Sequence, residues 1–171
     1  MTDFAMPPFH KRALKRPAAF AALLALGLAL HAGGSQAAEE TLRAGTAKLV
    51  KGQVQVANDA GERALQPGDG VSAADRVLTG PDGSASLVLR DGTMIVVGPN
   101  SRMDLREFTF DSTTYKGNLV VRVVRGTMRM VSGLIRKTRP EAVSIETPTA
   151  LIGIRGTDFI VEVEPTEEAA K

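Results

Sequence analysis

The 171-residue chain has no cysteine, no tryptophan, one tyrosine and only two histidines. Both histidines, His10 and His31, fall within the first 37 residues, which read as a leader, so the remainder carries neither imidazole nor thiol. This excludes from it the Ser-His-Asp and Cys-His nucleophile systems, the usual zinc and transition-metal ligand sets, and a histidine switch near neutral pH. Asp, Glu, Lys, Ser and Tyr are left for any chemistry. Disulfides are excluded as well, so packing must hold the folded part together, which about 130 residues can do. A membrane-spanning run is also missing. The apolar stretch Ala18 to Leu30 holds thirteen residues, about 20 Å of helix against a hydrocarbon layer of roughly 30 Å.

What surrounds that stretch explains it. Lys11, Arg12, Lys15 and Arg16 precede it and Ser35-Gln36-Ala37 follows with small residues where a signal peptidase reads, the pattern of a cleaved export signal over residues 1–37. With no cysteine after it a lipoprotein anchor is excluded, and Lys15-Arg16 is not a twin-arginine pair. The signal holds four of the 21 Lys and Arg but one of the 19 Asp and Glu, leaving 17 basic and 18 acidic side chains and a net charge of −1. Global basicity is therefore no argument for nucleic acid. The expected location is periplasmic or secreted, with no stable membrane insertion after cleavage.

The rest of the chain reads as strands. Ser84 to Leu105 is the centre: two apolar runs flank Asp91-Gly92, the dipeptide that a two-residue type I′ turn favours. That turn pairs Leu89 with Met94 and Leu87 with Val96, placing Ala85, Leu87, Leu89, Met94 and Val96 on one face. Thr46 to Val56 alternates with a change of phase, Ala47 and Leu49 then Val54 and Val56, which a bulge at Gly52 would absorb. Glu107 to Gly117 has no period and reads as a long connection with room for extended pieces; Asn118 to Val124 and Thr127 to Val131 flank Arg125-Gly126 as a second hairpin. Ser132 to Glu141 reads as an exposed crossing, followed by strands at Val143 to Glu146 and within Ala150 to Glu164. Turn signals every eight to twelve residues or so indicate short strands. The expectation is one all-β domain over residues 38–164, about ten short strands, sandwich-like or a short β-roll or solenoid, and a disordered tail at 165–171.

Three segments in order carry a family resemblance. Thr79 to Thr93, with its Thr-Gly-x-x-Gly-Ser-Ala-x-Leu-x-Leu-x-Asp-Gly-Thr pattern, Gly98-Pro99-Asn100-Ser101, and Thr147 to Val163, with Thr-Pro-x-Ala leading to Arg155-Gly156-Thr157-x-Phe159, resemble the middle and closing signatures of FecR domains. The likeness extends over about Gly45 to Glu164. FecR regulators resemble a cytoplasmic sigma-binding segment, a spanning helix and a periplasmic domain in series. Here 17 residues precede the apolar run and about seven follow the final strand, so the resemblance implies an exported, stand-alone FecR domain. It implies a non-catalytic module binding a cell-envelope polymer or protein, or else an accessory signalling component with a discrete protein partner.

Charge asymmetry supplies the candidate residues. Between Ser112 and Pro140 there is no acid, while Lys116, Arg122, Arg125, Arg129, Arg136, Lys137 and Arg139 are basic. Strand alternation turns Arg122 away from Val121 and Val123, and Arg129 away from Met128 and Met130. With Arg136, Lys137 and Arg139 folded over it, this face would suit a polyanion; alternatively it is a solvated, salt-bridged surface that blunts edge pairing. Nucleic acid is disfavoured, since no aromatics interleave with the basic strands. Arg155 reads either as a partner contact or as an arginine that fixes turns by donating to carbonyls or to Asp158. Asp69, Asp82 and Asp91 stand beside glycines without the spacing of a calcium loop, so turns account for them. No cofactor and no metal are expected. A glycan-cleaving enzyme would need two carboxyl groups about 5 to 9.5 Å apart, and the sequence nominates no such pair.

Overall fold

The computed structural model describes residues 43–154 and 156–164; the expected export signal, Arg155 and the expected tail lie outside the described residues. There are twelve strands, most with apolar side chains at alternate positions: β1 (Arg43–Lys51), β2 (Val54–Asn58), β3 (Gly61–Ala64), β4 (Gly70–Ser72), β5 (Arg76–Thr79), β6 (Ser84–Leu89), β7 (Met94–Val97), β8 (Arg102–Phe110), β9 (Gly117–Val131), β10 (Val143–Glu146), β11 (Leu151–Gly153) and β12 (Asp158–Val163). A short helix, α1 (Leu134–Thr138), and a 3-10 turn (Pro140–Ala142) lie between β9 and β10. No helix among the described residues is long and apolar enough to cross a membrane.

The strands form one curled sheet, antiparallel except where β10 runs parallel to β9. It has two wings. The first runs β4-β1-β6-β7-β9-β12 and the second β3-β2-β5-β8-β9-β10-β11. Strand β9 belongs to both: residues 117–125 pair with β8, and residues 126–131 pair with β12. Inward side chains of both wings, such as Leu87, Ile95 and Met130 from the first and Val77, Met103 and Ile145 from the second, meet in one core. Each such side chain contributes roughly 1.5–3 kcal/mol by leaving water.

Among the chain's crossings between the wings, those at Gly52-Gln53, at Gly80 to Gly83, at Gly98 to Ser101 and within β9 around Gly126 lie side by side and are hydrogen-bonded to one another. The Gly80 amide donates to the Gln53 carbonyl (2.9 Å), and the Gly80 carbonyl accepts from Asn100 (3.0 Å). The Thr79 hydroxyl donates to the Gly98 carbonyl (2.6 Å) and accepts from the Ser101 amide (2.9 Å). The Ser101 hydroxyl accepts from the Thr127 amide (3.0 Å), and the Gly98 amide donates to the Thr127 carbonyl (2.9 Å). Two glycines permit this closeness. A β-carbon on Gly83 would collide with the Gln53 carbonyl, and one on Gly126, at φ +84°, with the Ser101 hydroxyl.

Several local expectations are corrected. The central hairpin pairs Leu87 with Ile95 and Val88 with Met94, one residue out of the expected register. Its loop is three residues: the Gly92 amide donates to the Leu89 carbonyl (3.0 Å) and Gly92 takes φ +81°, a type I turn followed by a left-handed residue. A one-residue slip exchanges the faces. Thus Ile95 and Val97 join Leu87 in the core and Met94 is 43% exposed. Asp91 selects this turn, because its buried carboxylate accepts from the Thr93 amide (3.0 Å) and hydroxyl (2.7 Å).

The phase change in β1 occurs between Ala47 and Leu49, earlier than Gly52, and leaves Leu49 64% exposed. The second expected hairpin is a single strand, β9, because Gly126 bends the chain without reversing it. The expected long connection holds one extended piece, as β8 continues to Phe110 and buries Phe108. The expected exposed crossing contains α1, whose Ile135 is fully buried.

Replacing Gly126 by Ala should lower the unfolding free energy by about 3 kcal/mol, whereas Gly92→Ala, at similar φ but with open space around the new carbon, should lose only about 1 kcal/mol. Urea denaturation of the two variants measures the difference; equal losses would remove the contact with Ser101 as the reason for a glycine at 126.

Candidate functional site

The arginines of β9 are placed by the strand's own phase. Leu119, Val121 and Val123 point into the core, then Met128 and Met130 do so, and the change from odd to even is taken up by a register shift opposite Arg102 and Met103. Arg122 and Arg125 consequently lie on the outer face of the second wing, and Arg129 on the outer face of the first.

On the second wing the cross-strand partners form a charge row: Arg76 opposite Asp104, Asp104 opposite Arg122, and Arg122 opposite Glu146. Arg125 stands opposite Arg102 in the adjoining row. Asp104 is 8% exposed. Its Oδ1 accepts from Arg76 Nε at 3.0 Å and is 3.6 Å from Arg102 Nε, within ion-pair range but too long for a hydrogen bond. The Nε atoms of Arg102, Arg122 and Arg125 are buried and have no hydrogen-bond partner. Among the described residues, neither Arg122 nor Arg125 makes an ion pair within 4.0 Å. Glu62 continues the row beyond Ala57, and Glu107 lies on the same face opposite Val120 and accepts from Asn118, so the surplus is one of unmatched N–H donors.

The first wing differs. The row Leu49, Ser86, Val96, Arg129, Ile160 crosses its outer face, and Leu49 and Ile160 are its most exposed apolar members. Arg129 is neutralised there: its Nε and Nη2 donate to the two Asp158 oxygens at 2.9 and 2.6 Å. Those hydrogen bonds, reinforced by the positive charge, hold the Asp158 carboxyl below the usual carboxylate range, and Asp158 correspondingly raises Arg129.

The basic residues after β9 have other contacts. Helix α1 is fastened by the Leu134 amide to the Asp91 carbonyl (2.8 Å) and by the Thr138 hydroxyl to the Tyr115 carbonyl (2.9 Å). Arg136 donates from Nη2 to the Ile154 carbonyl at 3.4 Å, Arg139 pairs with Glu141 at 3.3 Å, and Lys137 is exposed. Gly156 and Thr157 are exposed, and the Thr157 carbonyl accepts from the Ser132 amide (2.8 Å). Arg155 lies outside the described residues, and Asp158 is engaged by Arg129. The structure thus joins Arg122 and Arg125 to Arg76, Arg102 and Asp104, none of which stood out in the sequence. Their outward phase beside Val77 and Met103 was readable, but the pairing of β5 with β8 and β9 was not.

Among the described residues no three His, Cys, Asp or Glu side chains are grouped to hold a metal ion. Because the Asp158 carboxyl is depressed in the folded state, its contribution to stability is present above the ordinary aspartate value and is lost as the pH falls through the folded one. In an NMR pH titration Arg129→Gln should return Asp158 toward an ordinary aspartate; an unchanged midpoint would show that Arg129 is not the cause.

Residues 75–171 match the family model described as "FecR protein". No curated protein matches the chain. A solved structure titled "Cell surface anchoring domain" is similar over 35% of this chain and 80% of its own, with 36% identity and a TM-score of 0.34.

Proposed function

The chain belongs to the FecR protein family, and on that premise we propose that it is a non-catalytic, exported binding module of the cell envelope that holds an anionic polymer against the outer face of its second wing. One observation carries the reading: Arg122 and Arg125 reach that face beside Arg76 and Arg102 with N–H donors buried and unmatched. Arginines fully occupied with carboxylates would make a solvated, self-neutralised surface, which is worth little to binding. Here the N–H donors exceed the acceptors in contact with them, which gives a polyanion charge-assisted hydrogen bonds.

A discrete protein partner is the second reading, and the outer face of the first wing favours it. Leu49, Met94 and Ile160 are exposed there around the Arg129–Asp158 pair, and apolar exposure on a sheet face suits a protein surface better than a glycan.

Residues 38–171 should co-sediment with purified cell-wall sacculi at low salt. Arg122→Glu combined with Arg125→Glu should abolish pelleting while leaving the circular dichroism spectrum intact, and Arg129→Glu, on the other wing, should still pellet. A protein that stays in the supernatant at low salt would end the polymer reading. Loss of pelleting in Arg129→Glu but not in the double variant would move the contact to the first wing.

A further inference from the structure

We propose that Arg76, Arg102, Arg122 and Arg125 form a site for phosphate oxyanions, with Asp104 as the residue that positions two of the arginines. This rests on the polymer-binding reading of the same face and specifies the chemical group recognised. Three features lead to it, beginning with the scaffold. The four arginines stand on three adjacent strands, β5, β8 and β9, in direct cross-strand register. Their spacing is thus fixed by backbone ladders and not by a mobile loop.

The second feature is the set of unmatched donors. The Nε atoms of Arg102, Arg122 and Arg125 are buried without an acceptor. Removing an N–H from water without replacing its partner is unfavourable, and native structures rarely leave such groups unmatched. An acceptor that these side chains turn outward to meet relieves all three. The guanidinium presents Nε and a terminal nitrogen as a planar fork, which fits two oxygens of one phosphate.

Donor number is the third feature. Asp104 occupies the centre and accepts from Arg76 at 3.0 Å, so one carboxylate already has its place. Glu146 stands opposite Arg122, Glu62 shares Arg76's row beyond Ala57, and Glu107 on the same face is held by Asn118, so what the cluster offers a ligand is unmatched donors and not net charge. A phosphate monoester or a pyrophosphate brings up to two or more negative charges and three or more acceptor oxygens, whereas an isolated carboxylate brings one charge and two oxygens. The multi-donor cluster therefore selects phosphate over carboxylate. The same group occurs in phosphorylated lipid headgroups and in phosphate-bearing polymers.

The arginine Nε–H resonances report on the site directly. Titrated with sodium pyrophosphate, and more weakly with inorganic phosphate, the Arg102, Arg122 and Arg125 signals should shift together and saturate, while sodium acetate at matched ionic strength leaves them in place. Arg125→Gln should weaken pyrophosphate binding about tenfold, and Arg129→Gln should not alter it. Equal shifts with acetate, or shifts that never saturate, would overturn the proposal and leave only a positive surface. Saturation by pyrophosphate in a protein that does not pellet with sacculi would retain the phosphate site and reject the wall polymer as its source. Binding to phosphatidylcholine vesicles doped with phosphatidic acid, or to soluble polyphosphate, supports the site when pyrophosphate displaces it and identifies lipid or polymer as the source. Binding that pyrophosphate cannot displace counts against it.

Discussion

The hydrogen bonds that join Thr79, Ser101 and Thr127 across the fold line are the constraint on which the architecture depends. A sheet of twelve strands would otherwise remain open, with one apolar face in water. Folding it over requires four chain crossings to lie side by side, and crossings carry backbone groups that the ladders no longer satisfy. Two hydroxyls solve this. Thr79 donates to one carbonyl and accepts one amide, and Ser101 accepts the Thr127 amide from the neighbouring crossing. Small residues are needed at the same places because the backbones approach too closely for a β-carbon.

This fold line divides the outer surface into two chemically different halves. Strand β9 supplies residues to both, and its single change of phase decides which. Without the extra residue near Arg125, either the methionines or the valines of β9 would face solvent. With it, every large apolar side chain of the strand's inner face is buried, and the arginines separate: Arg122 and Arg125 to a face rich in guanidinium, Arg129 to an apolar face where Asp158 neutralises it. A basic segment in one dimension has become a basic site and a separate ion pair in three.

Much of this was legible in the sequence, and the pattern of what was not is informative. The all-β class, the strands at Ser84 and Val143, and the outward direction of Arg122 and Arg129 follow from alternation, which is local. The register of the central hairpin was missed because Asp91-Gly92 supports turns of two or three residues, and the choice lies with the bonds from Thr93 to the Asp91 carboxylate. The unbroken course of β9 was missed because Arg-Gly between apolar runs describes a bend as well as a reversal; only pairing with β7, β8, β10 and β12 distinguishes them. Arg76 and Arg102 joined the candidate site for the same reason: their neighbours are set by strands distant in sequence.

The course of β9 also dictates when this protein can become complete. Its two edges are covered by four strands, and β10 and β12 lie on the C-terminal side of it. Until Val143 to Val163 has been delivered, one full edge of the longest strand is left with bare amides and carbonyls beside an apolar face, a template for pairing with another chain. A protein threaded through a membrane from its N-terminus would expose that edge for the whole time its last segment is in transit. Closure is thus a late event, tied to arrival of the C-terminal strands.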